Sequence, residues 1–111
     1  MKEKILFVNS CVRGENESRT LALAKTALSR LDGDIEEIRL ADADLRPLDA
    51  AGLAKRAESA EKNDFSAPVY DCAKQFAACD TVVIAAPFWD YSFPAFLKIY
   101  IESLCVGGLT F

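Results

Sequence analysis

Three large aromatic side chains lie close together in the segment Thr81–Lys98, directly after an apolar run. Val82 to Ala86 predict a buried parallel strand, and the proline that follows ends its hydrogen-bonding ladder. Phe88, Trp89 and Tyr91 therefore come after the carboxyl end of a strand, which is where open α/β sheets bind their ligands. Aromatic residues in this position favour a binding site in which their rings form a wall against a planar ligand.

The aromatic residues of this segment could also be ordinary core packing. Phe93 and Phe96 stand at the start of a predicted helix, where a core role is favoured. Trp89 and Tyr91 flank Asp90 in a loop instead, which favours a role in lining a ligand site.

A polar loop after the first apolar run of the chain is the second candidate site. It contains Gly14 and leads into a helix pattern, and the N–H groups and dipole of a helix N-terminus favour an anion such as phosphate. Ser10 and Ser18 offer hydroxyl groups, while Arg13 or Arg19 could offset the charge of the ligand. Serine and asparagine are also common turn and cap residues, so a purely structural role for the loop stays open.

Several known site types do not match this loop. Gly14 stands alone, without the further glycines of a dinucleotide fingerprint or the lysine of a nucleotide-triphosphate loop. Cys11 invites comparison with low-molecular-weight tyrosine phosphatases, but Glu17 stands six residues later, where those enzymes carry arginine. The arginine nearest to that position is Arg19, two residues beyond it. A response-regulator receiver needs an aspartate at the end of its third strand, and here that strand ends in alanine and proline.

Composition excludes several functional classes. The chain has 111 residues, a net charge of −4 and no histidine, so it lacks the basic surface for nucleic acid and the side chain for Ser-His-Asp or Cys-His catalysis. The four cysteines show no close pairing, which favours reduced thiols over a metal site. No segment has the length of a signal or membrane-spanning sequence, and we expect a cytoplasmic protein that does not bind membranes.

Hydrophobic periodicity predicts the order β-α-β-α-β-α in one domain, residues 1–111. The predicted strands are Lys4–Ser10, Asp34–Leu40 and Thr81–Ala86. The first helix starts at Ser18, with Leu21, Ala24, Leu28 and Leu31 on one face, and Gly33 is its predicted stop. Ala50–Asp64 lacks an apolar stripe and is interpreted as a mobile insertion or a frayed, solvated helix.

The two remaining helices have clearer start signals. Ser66 as N-cap and Pro68 in the first turn open a helix with Val69, Cys72, Ala73 and Phe76 on one face. Ser92 and Pro94 open the last helix, whose apolar face comprises Leu97, Tyr100, Ile101 and Leu104 before Gly107-Gly108. Right-handed crossovers then predict a parallel sheet with helices on both faces.

The two candidate loops are expected to meet at one edge of this sheet. In the strand order 2-1-3, the loops after the first and third strands bracket the switch point where flavodoxin-like folds hold FMN. The spacing suits a phosphate at one end and a flat ring at the other.

The sequence resembles the flavodoxin-like NAD(P)H dehydrogenase (quinone) and FMN-dependent NADH-azoreductase family. The resemblance is carried by KILFVNSCVRGENESRT, LADADLRPLD and VIAAPFWDYSFPAFLKIYIE followed by GGLTF. It implies a three-layer α/β/α fold and ping-pong transfer of a hydride from NAD(P)H through FMN to a quinone or azo compound. The implied FMN-binding residues are Ser10, Asn16, Glu17, Ser18, Pro87, Phe88, Trp89, Asp90 and Tyr91.

The chain departs from the family pattern in two side chains and in length. Family members often have asparagine where this chain has Asp90, and a carboxylate adds negative charge beside the flavin. Glu17 beside a phosphate is unfavourable unless only its backbone N–H makes the contact. Family members continue beyond the segment that resembles GGLTF, so the chain is expected to be an incomplete domain and a homo-oligomer. The alternatives to an enzyme are a flavin-binding electron carrier and an inactive fragment that needs another chain to complete the fold.

Overall fold

The computed structural model describes residues 2–111 and contains a three-stranded parallel sheet with helices on both faces. Its elements are β1 (Glu3–Asn9), α1 (Arg19–Leu28), β2 (Gly33–Arg39), a 3₁₀ turn (Leu40–Asp42), α2 (Ala50–Lys62), a second 3₁₀ turn (Pro68–Tyr70), α3 (Asp71–Ala77), β3 (Thr81–Ala85) and α4 (Ala95–Leu104). The strand order β2-β1-β3 confirms the predicted order 2-1-3.

The central strand β1 separates two apolar layers. Ile5 and Phe7 face α1 and pack with its buried residues Leu21, Ala24 and Leu28. The alternate residues of the strand face α4 and pack with its buried residues, a group comprising Leu6, Val8, Leu97, Tyr100 and Leu104. Alternation of side chains along β1 thus produces the predicted three-layer arrangement.

Strand β3 is less buried than the sequence predicted. Ala85 is buried, but Ile84 is 48% exposed. Within residues 2–111, β3 has one strand neighbour, β1, so its other edge carries no hydrogen-bonded partner. The prediction of a buried strand was therefore wrong for β3 except at Ala85, whereas residues 5–9 of β1 are buried.

Gly33 was predicted to stop the first helix, but in the structure it is the first residue of β2. The helix ends at Leu28, and the backbone N–H of Ser29 donates to the carbonyls of Lys25 and Ala27. A Cβ atom on Gly33 would lie 2.5 Å from the backbone oxygen of Glu3, so the close pairing of β2 with β1 requires glycine. Leu31, which was predicted to share the buried helix face, is 41% exposed.

The segment before α3 also differs from the prediction. Ser66 is not an N-cap; it donates through its backbone N–H and its hydroxyl to the Asp64 carboxylate. The 3₁₀ turn Pro68–Tyr70 changes the helical phase, so Val69 is 65% exposed and Tyr70 is buried in its place. The predicted packing face continues correctly at Ala73, which is fully buried.

Helix α2 occupies most of Ala50–Asp64, so of the two predictions, a mobile insertion or a frayed, solvated helix, the structure agrees with a solvated helix, although one that is capped at both ends. Asp49 caps it by accepting a hydrogen bond from the N–H of Gly52, and the helix contributes no buried residue. Its attachment is polar: the Arg56 guanidinium donates to the backbone carbonyls of Glu102 (2.8 Å) and Cys105 (3.1 Å), at the end of α4. These carbonyls lack intrahelical donors, so the arginine satisfies the C-terminus of α4. None of the helices in residues 2–111 combines the length and apolar character that crossing a bilayer requires.

Candidate functional site

The loop after β1 is fixed to the end of β3 by Ser10. The Ser10 side chain is fully buried, and its hydroxyl donates to the backbone carbonyl of Ala85 at 2.6 Å. The Ser10 backbone N–H donates to the same carbonyl at 3.0 Å. Two hydrogen bonds thus hold the start of this loop beside the start of the loop after β3.

Asn9 fixes the same loop to β2. Its side-chain oxygen accepts from the backbone N–H of Cys11 (2.9 Å), and its amide donates to the Glu37 carboxylate (3.1 Å). Partial burial acts to raise the pKa of Glu37, but hydrogen bonds from Asn9 and from Lys25 outweigh it and hold that pKa below its ordinary value. Neither Asn9 nor Glu37 was among the functional residues predicted from the sequence. The available signal was an amide side chain at the end of a buried strand.

The second half of the loop forms a tight turn that leads into α1. The Gly14 carbonyl accepts hydrogen bonds from the backbone N–H groups of Glu17 (3.0 Å) and Ser18 (2.9 Å). The Ser18 hydroxyl is the N-cap of α1 and accepts from the N–H of Leu21 at 3.1 Å. Asn16 and Glu17 lie on the exposed outer side of this turn.

Helix α1 presents unpaired backbone donors at its N-terminus. The N–H of Leu21 is bonded to the Ser18 hydroxyl, and the N–H of Ala22 is bonded to the Ser18 carbonyl. The N–H groups of Arg19 and Thr20 have no acceptor within residues 2–111. The site therefore offers two backbone donors in the positive field of a helix dipole.

The loop after β3 contains a strained two-residue turn. Trp89 and Ser92 exchange backbone hydrogen bonds of 2.7 and 2.8 Å, and the two residues between them have positive φ angles, 49° at Asp90 and 65° at Tyr91. This is the pattern of a type I′ turn, which normally uses asparagine and glycine. A tyrosine in this backbone region is rare, and such strain concentrates at functional sites.

The turn displays two aromatic rings to solvent. Phe88 is 75% exposed and Tyr91 is 93% exposed, and their ring centroids lie 6.2 Å apart in an edge-to-face arrangement. Trp89 is more enclosed, with 41% exposure. The rings of Phe88 and Tyr91 support each other outside the core and are available to a ligand or a partner.

A cavity of about 660 Å³ joins the loops at the carboxyl edge of the sheet. Val12 lines it from the loop after β1, Ala41 from the segment after β2, and Trp89 from the loop after β3. Phe93 and Phe96 complete an aromatic wall, and Phe96 also packs against the core. The volume lies within the usual range of small-molecule sites.

The predicted site residues fall into three groups. Trp89 and Asp90 line the cavity. Ser10 and Ser18 are buried beneath the first loop, where their hydroxyls make hydrogen bonds within the chain. The remaining five do not line the cavity; Pro87 is half-buried, while Asn16, Glu17, Phe88 and Tyr91 are exposed.

Phe93 differs from its sequence prediction. It was expected in the core, but it is 40% exposed and faces the cavity. Phe96 is half-buried against the core, as predicted, although one part of its ring reaches the cavity. The cavity wall therefore includes the Phe93 ring, which the sequence had assigned to the core.

A second cavity, of about 450 Å³, lies on the other side of the first loop. It is lined by polar side chains, including Asn9, Lys25, Glu37 and Arg39. Lys25 donates to Glu37 at 3.1 Å and lies 5.3 Å from the ring centre of Phe7. The first loop thus contributes Val12 to the aromatic cavity and Gly14 and Glu15 to the charged one.

Comparison with known proteins agrees with the fold described above. The chain is 32% identical over 113 aligned residues to the FMN-dependent NADH:quinone oxidoreductase of Clostridium perfringens strain SM101, covering 97% of this chain and 57% of the relative. It is 33% identical to FMN-dependent NADH:quinone oxidoreductase 2 of Clostridium acetobutylicum, covering 97% of this chain and 56% of the relative. The chain therefore spans somewhat more than half the length of these curated relatives.

The backbone of the chain also superposes on solved structures of azoreductases. An azoreductase from Bacillus anthracis strain Sterne superposes with a TM-score of 0.74 at 24% identity, over 98% of this chain and 58% of that chain. An FMN-dependent NADH-azoreductase from Bacillus anthracis strain Ames Ancestor, solved in complex with FMN, has a TM-score of 0.75 at 21% identity, over 97% of this chain and 57% of that chain. At these identities the likeness establishes the fold.

The family model described as flavodoxin-like fold matches residues 3–111, which is nearly the whole chain. Its match agrees with the strand order and with the helices on both faces of the sheet. The chain accordingly belongs to the family with the flavodoxin-like fold.

Proposed function

We propose that this chain binds FMN at the carboxyl edge of its sheet. We further propose that it acts as an FMN-dependent NAD(P)H oxidoreductase that reduces a quinone or an azo compound. The observation that carries the proposal is the cavity of about 660 Å³ that Val12 and Trp89 line from the loops after β1 and β3. The relatives named above, which are FMN-dependent oxidoreductases, support the choice of cofactor. No nucleic-acid or membrane partner is part of the proposal.

The phosphate end of the cofactor would lie at the first loop. The unpaired N–H groups of Arg19 and Thr20 suit an anion, and Asn16 and Ser18 lie in the same turn. Arg13 and Arg19 are exposed and carry compensating charge. The N–H of Glu17 already donates to Gly14, so the role proposed for Glu17 is limited to its place in the turn.

The ring end of the cofactor would lie against the loop after β3. Trp89 provides a flat apolar surface within the cavity, while Pro87, Phe88 and Tyr91 belong to the same loop without lining the cavity. The Asp90 carboxylate lines the cavity and would disfavour additional negative charge on the ring. With FMN bound, these residues would orient the ring and would exclude water from part of its surface.

The chain contributes position and electrostatics rather than a catalytic side chain. When bound, FMN supplies the capacity to accept a hydride from NAD(P)H and to pass two electrons to the acceptor. The absence of histidine from the sequence agrees with a site in which the cofactor carries the chemistry. We assign no catalytic residue.

Reconstitution with FMN tests this proposal. The expected results are a 1:1 flavin complex with quenched flavin fluorescence, and oxidation of NADH that depends on an added benzoquinone. Binding without NADH oxidation would favour the electron-carrier alternative over the enzyme. Failure to bind FMN at micromolar concentrations would contradict the proposal.

A homo-oligomer formed through β3 is proposed as the assembly. The outer edge of β3 has the sequence TVVIA, which carries no charge, whereas β2 at the opposite edge has Asp34, Glu36 and Glu37. Pairing of two identical edges places like residues near each other, which an uncharged strand permits and an acidic strand opposes. A second copy of this chain is therefore the partner that we propose for β3.

A cytoplasmic location is also proposed. Four cysteines are unpaired within residues 2–111, and the thiols of Cys72 and Cys79 have pKa values raised by burial. Free thiols in this number agree with a reducing compartment. Cell fractionation with an antibody to the chain would test the location.

A further inference from the structure

We propose that Glu37 is a positioning residue that sets the conformation of the first loop through the side chain of Asn9. This inference rests on the proposed function only in assigning that loop to the phosphate end of FMN. The chain of contacts itself runs from Lys25 on α1 to Glu37 on β2, then to Asn9 on β1 and the backbone of Cys11.

Asn9 is a buried amide whose two polar atoms both need partners. It is 1% exposed at the end of the central strand. Its oxygen accepts from the N–H of Cys11 at 2.9 Å, and its NH₂ group donates to Glu37 at 3.1 Å. Both polar ends of the amide are therefore satisfied within the chain, as burial requires.

The carboxylate of Glu37 determines which way this amide points. A carboxylate can only accept hydrogen bonds, so it must face the NH₂ group of Asn9. In the reversed orientation, the Asn9 oxygen would face the carboxylate and its NH₂ group would face the N–H of Cys11. Both contacts would then be repulsive, so Glu37 directs the Asn9 oxygen toward the loop.

Lys25 holds Glu37 in place for this task. The Lys25 ammonium donates to one carboxylate oxygen at 3.1 Å, while the other oxygen accepts from Asn9. The two partners occupy different oxygens, so neither displaces the other. The Lys25 ammonium also lies over the Phe7 ring, 5.3 Å from its centre, and this cation–π contact favours the same position of the ammonium.

The contact at Cys11 affects the loop because Cys11 is buried and its neighbour Val12 lines the aromatic cavity. Ser10 anchors the loop to β3, and the Asn9 side chain anchors it to β2. Loss of the second anchor would leave the loop attached on one side. We expect the backbone from Cys11 to the turn at Gly14 to lose its fixed geometry in that case.

Glu36 provides a matched control. It is the adjacent residue of β2, has the same side chain, and points to the opposite face of the sheet, where it accepts a hydrogen bond from Gln75 at 2.6 Å. Glu36→Gln therefore changes the same charge on the same strand without touching Asn9.

The test compares Glu37→Gln with Glu36→Gln by amide hydrogen exchange at Cys11 and by FMN affinity. A glutamine at position 37 can donate or accept, so it no longer selects one orientation of Asn9. We expect exchange at Cys11 to rise about tenfold and FMN to bind about tenfold more weakly in Glu37→Gln. Glu36→Gln is expected to match the parent chain in both measurements.

A double variant restores the interaction with donor and acceptor exchanged. In Asn9→Asp with Glu37→Gln, the carboxylate at position 9 accepts from the Cys11 N–H and from the glutamine amide. We expect this variant to recover slow exchange at Cys11, which a general loss of stability would not allow. Urea unfolding of each variant separates local from global effects.

Two results would overturn the inference: parent-like exchange at Cys11 in Glu37→Gln, or no recovery in the folded double variant. Failure of the proposed function is a different outcome. If the parent chain does not bind FMN, the exchange measurements at Cys11 still decide whether Glu37 positions the loop.

Discussion

The Ser10 hydroxyl donates to the backbone carbonyl of Ala85 at 2.6 Å, which joins the loop after β1 to the last residue of β3. The two loops that border the aromatic cavity thus start from one hydrogen-bonded point. Because Ser10 is fully buried, water cannot replace this contact when it is removed.

Ser10→Ala is expected to destabilise the chain by about 1 kcal/mol, the usual value for one buried hydrogen bond. Ser29→Ala is the control, because the Ser29 hydroxyl also donates to a backbone carbonyl at 2.6 Å but is exposed. Urea unfolding of both variants checks the prediction. Equal losses of stability would show that burial of Ser10 has no special effect.

Trp89→Ala is expected to weaken FMN binding about tenfold, because the indole is the largest flat surface in the cavity. Phe111→Ala removes another exposed aromatic ring that does not line this cavity, and it should leave the affinity unchanged. Flavin fluorescence titration measures both constants. An unchanged affinity in Trp89→Ala would remove this residue from the proposed site.

Tyr91→Gly is expected to be more stable than Tyr91→Ala by about 1 kcal/mol, because glycine adopts a positive φ without the penalty of a Cβ atom. Both variants lose the contact of the Tyr91 ring with Phe88, so the comparison isolates the backbone at φ 65°. Chemical denaturation provides the measurement. An alanine variant equal to or more stable than the glycine variant would argue against strain at this position.

The contribution of Glu37 to stability is expected to depend on pH. Its folded pKa is lowered from the ordinary value of 4.5, so its stabilising effect is present above pH 4.5 and is lost as the pH falls through the folded pKa. The charged groups around it are Lys25, Arg39 and Glu15. The stability difference between the parent and Glu37→Gln should shrink below pH 4.5, as measured by urea unfolding at several pH values. A difference that is constant across this window would contradict the assignment.

Ile84→Lys is expected to convert the proposed oligomer to a monomer, because it places a charge on the uncharged outer strand. Ile35→Lys on β2 is the matched control, since Ile84 and Ile35 are 48% and 45% exposed at opposite edges of the sheet. Size-exclusion chromatography with light scattering determines the mass of each variant. A monomeric parent chain, or an equal effect of both substitutions, would exclude assembly through β3.

The fold was predictable because its signals are local. The apolar run of β1, the spacing of Leu21, Ala24 and Leu28, and the proline before α4 each identify an element without tertiary information. Handedness of crossovers then determines the arrangement of the layers. Errors arose where a tertiary contact decided the outcome, as at Gly33, whose role depends on the approach of Glu3.

The candidate site was predictable only in part. Aromatic residues after a strand indicated Trp89 correctly as part of a cavity wall. The pairing of Asn9 with Glu37 depends on the register of β1 and β2, in which Asn9 lies opposite Arg39 and Phe7 lies opposite Glu37. Register is not visible in a single sequence when one of the strands is mostly exposed and charged.

Helix α2 illustrates how an element can belong to a domain without contributing to its interior. It buries no residue, and a guanidinium on two carbonyls together with the hydrogen bond from the Tyr70 hydroxyl to Ser59 at 2.7 Å holds it in place. For protein engineering, α2 is therefore a segment whose sequence is weakly constrained by the core. We expect the fold to tolerate a different helix of equal length there, provided that it keeps Arg56 and Ser59.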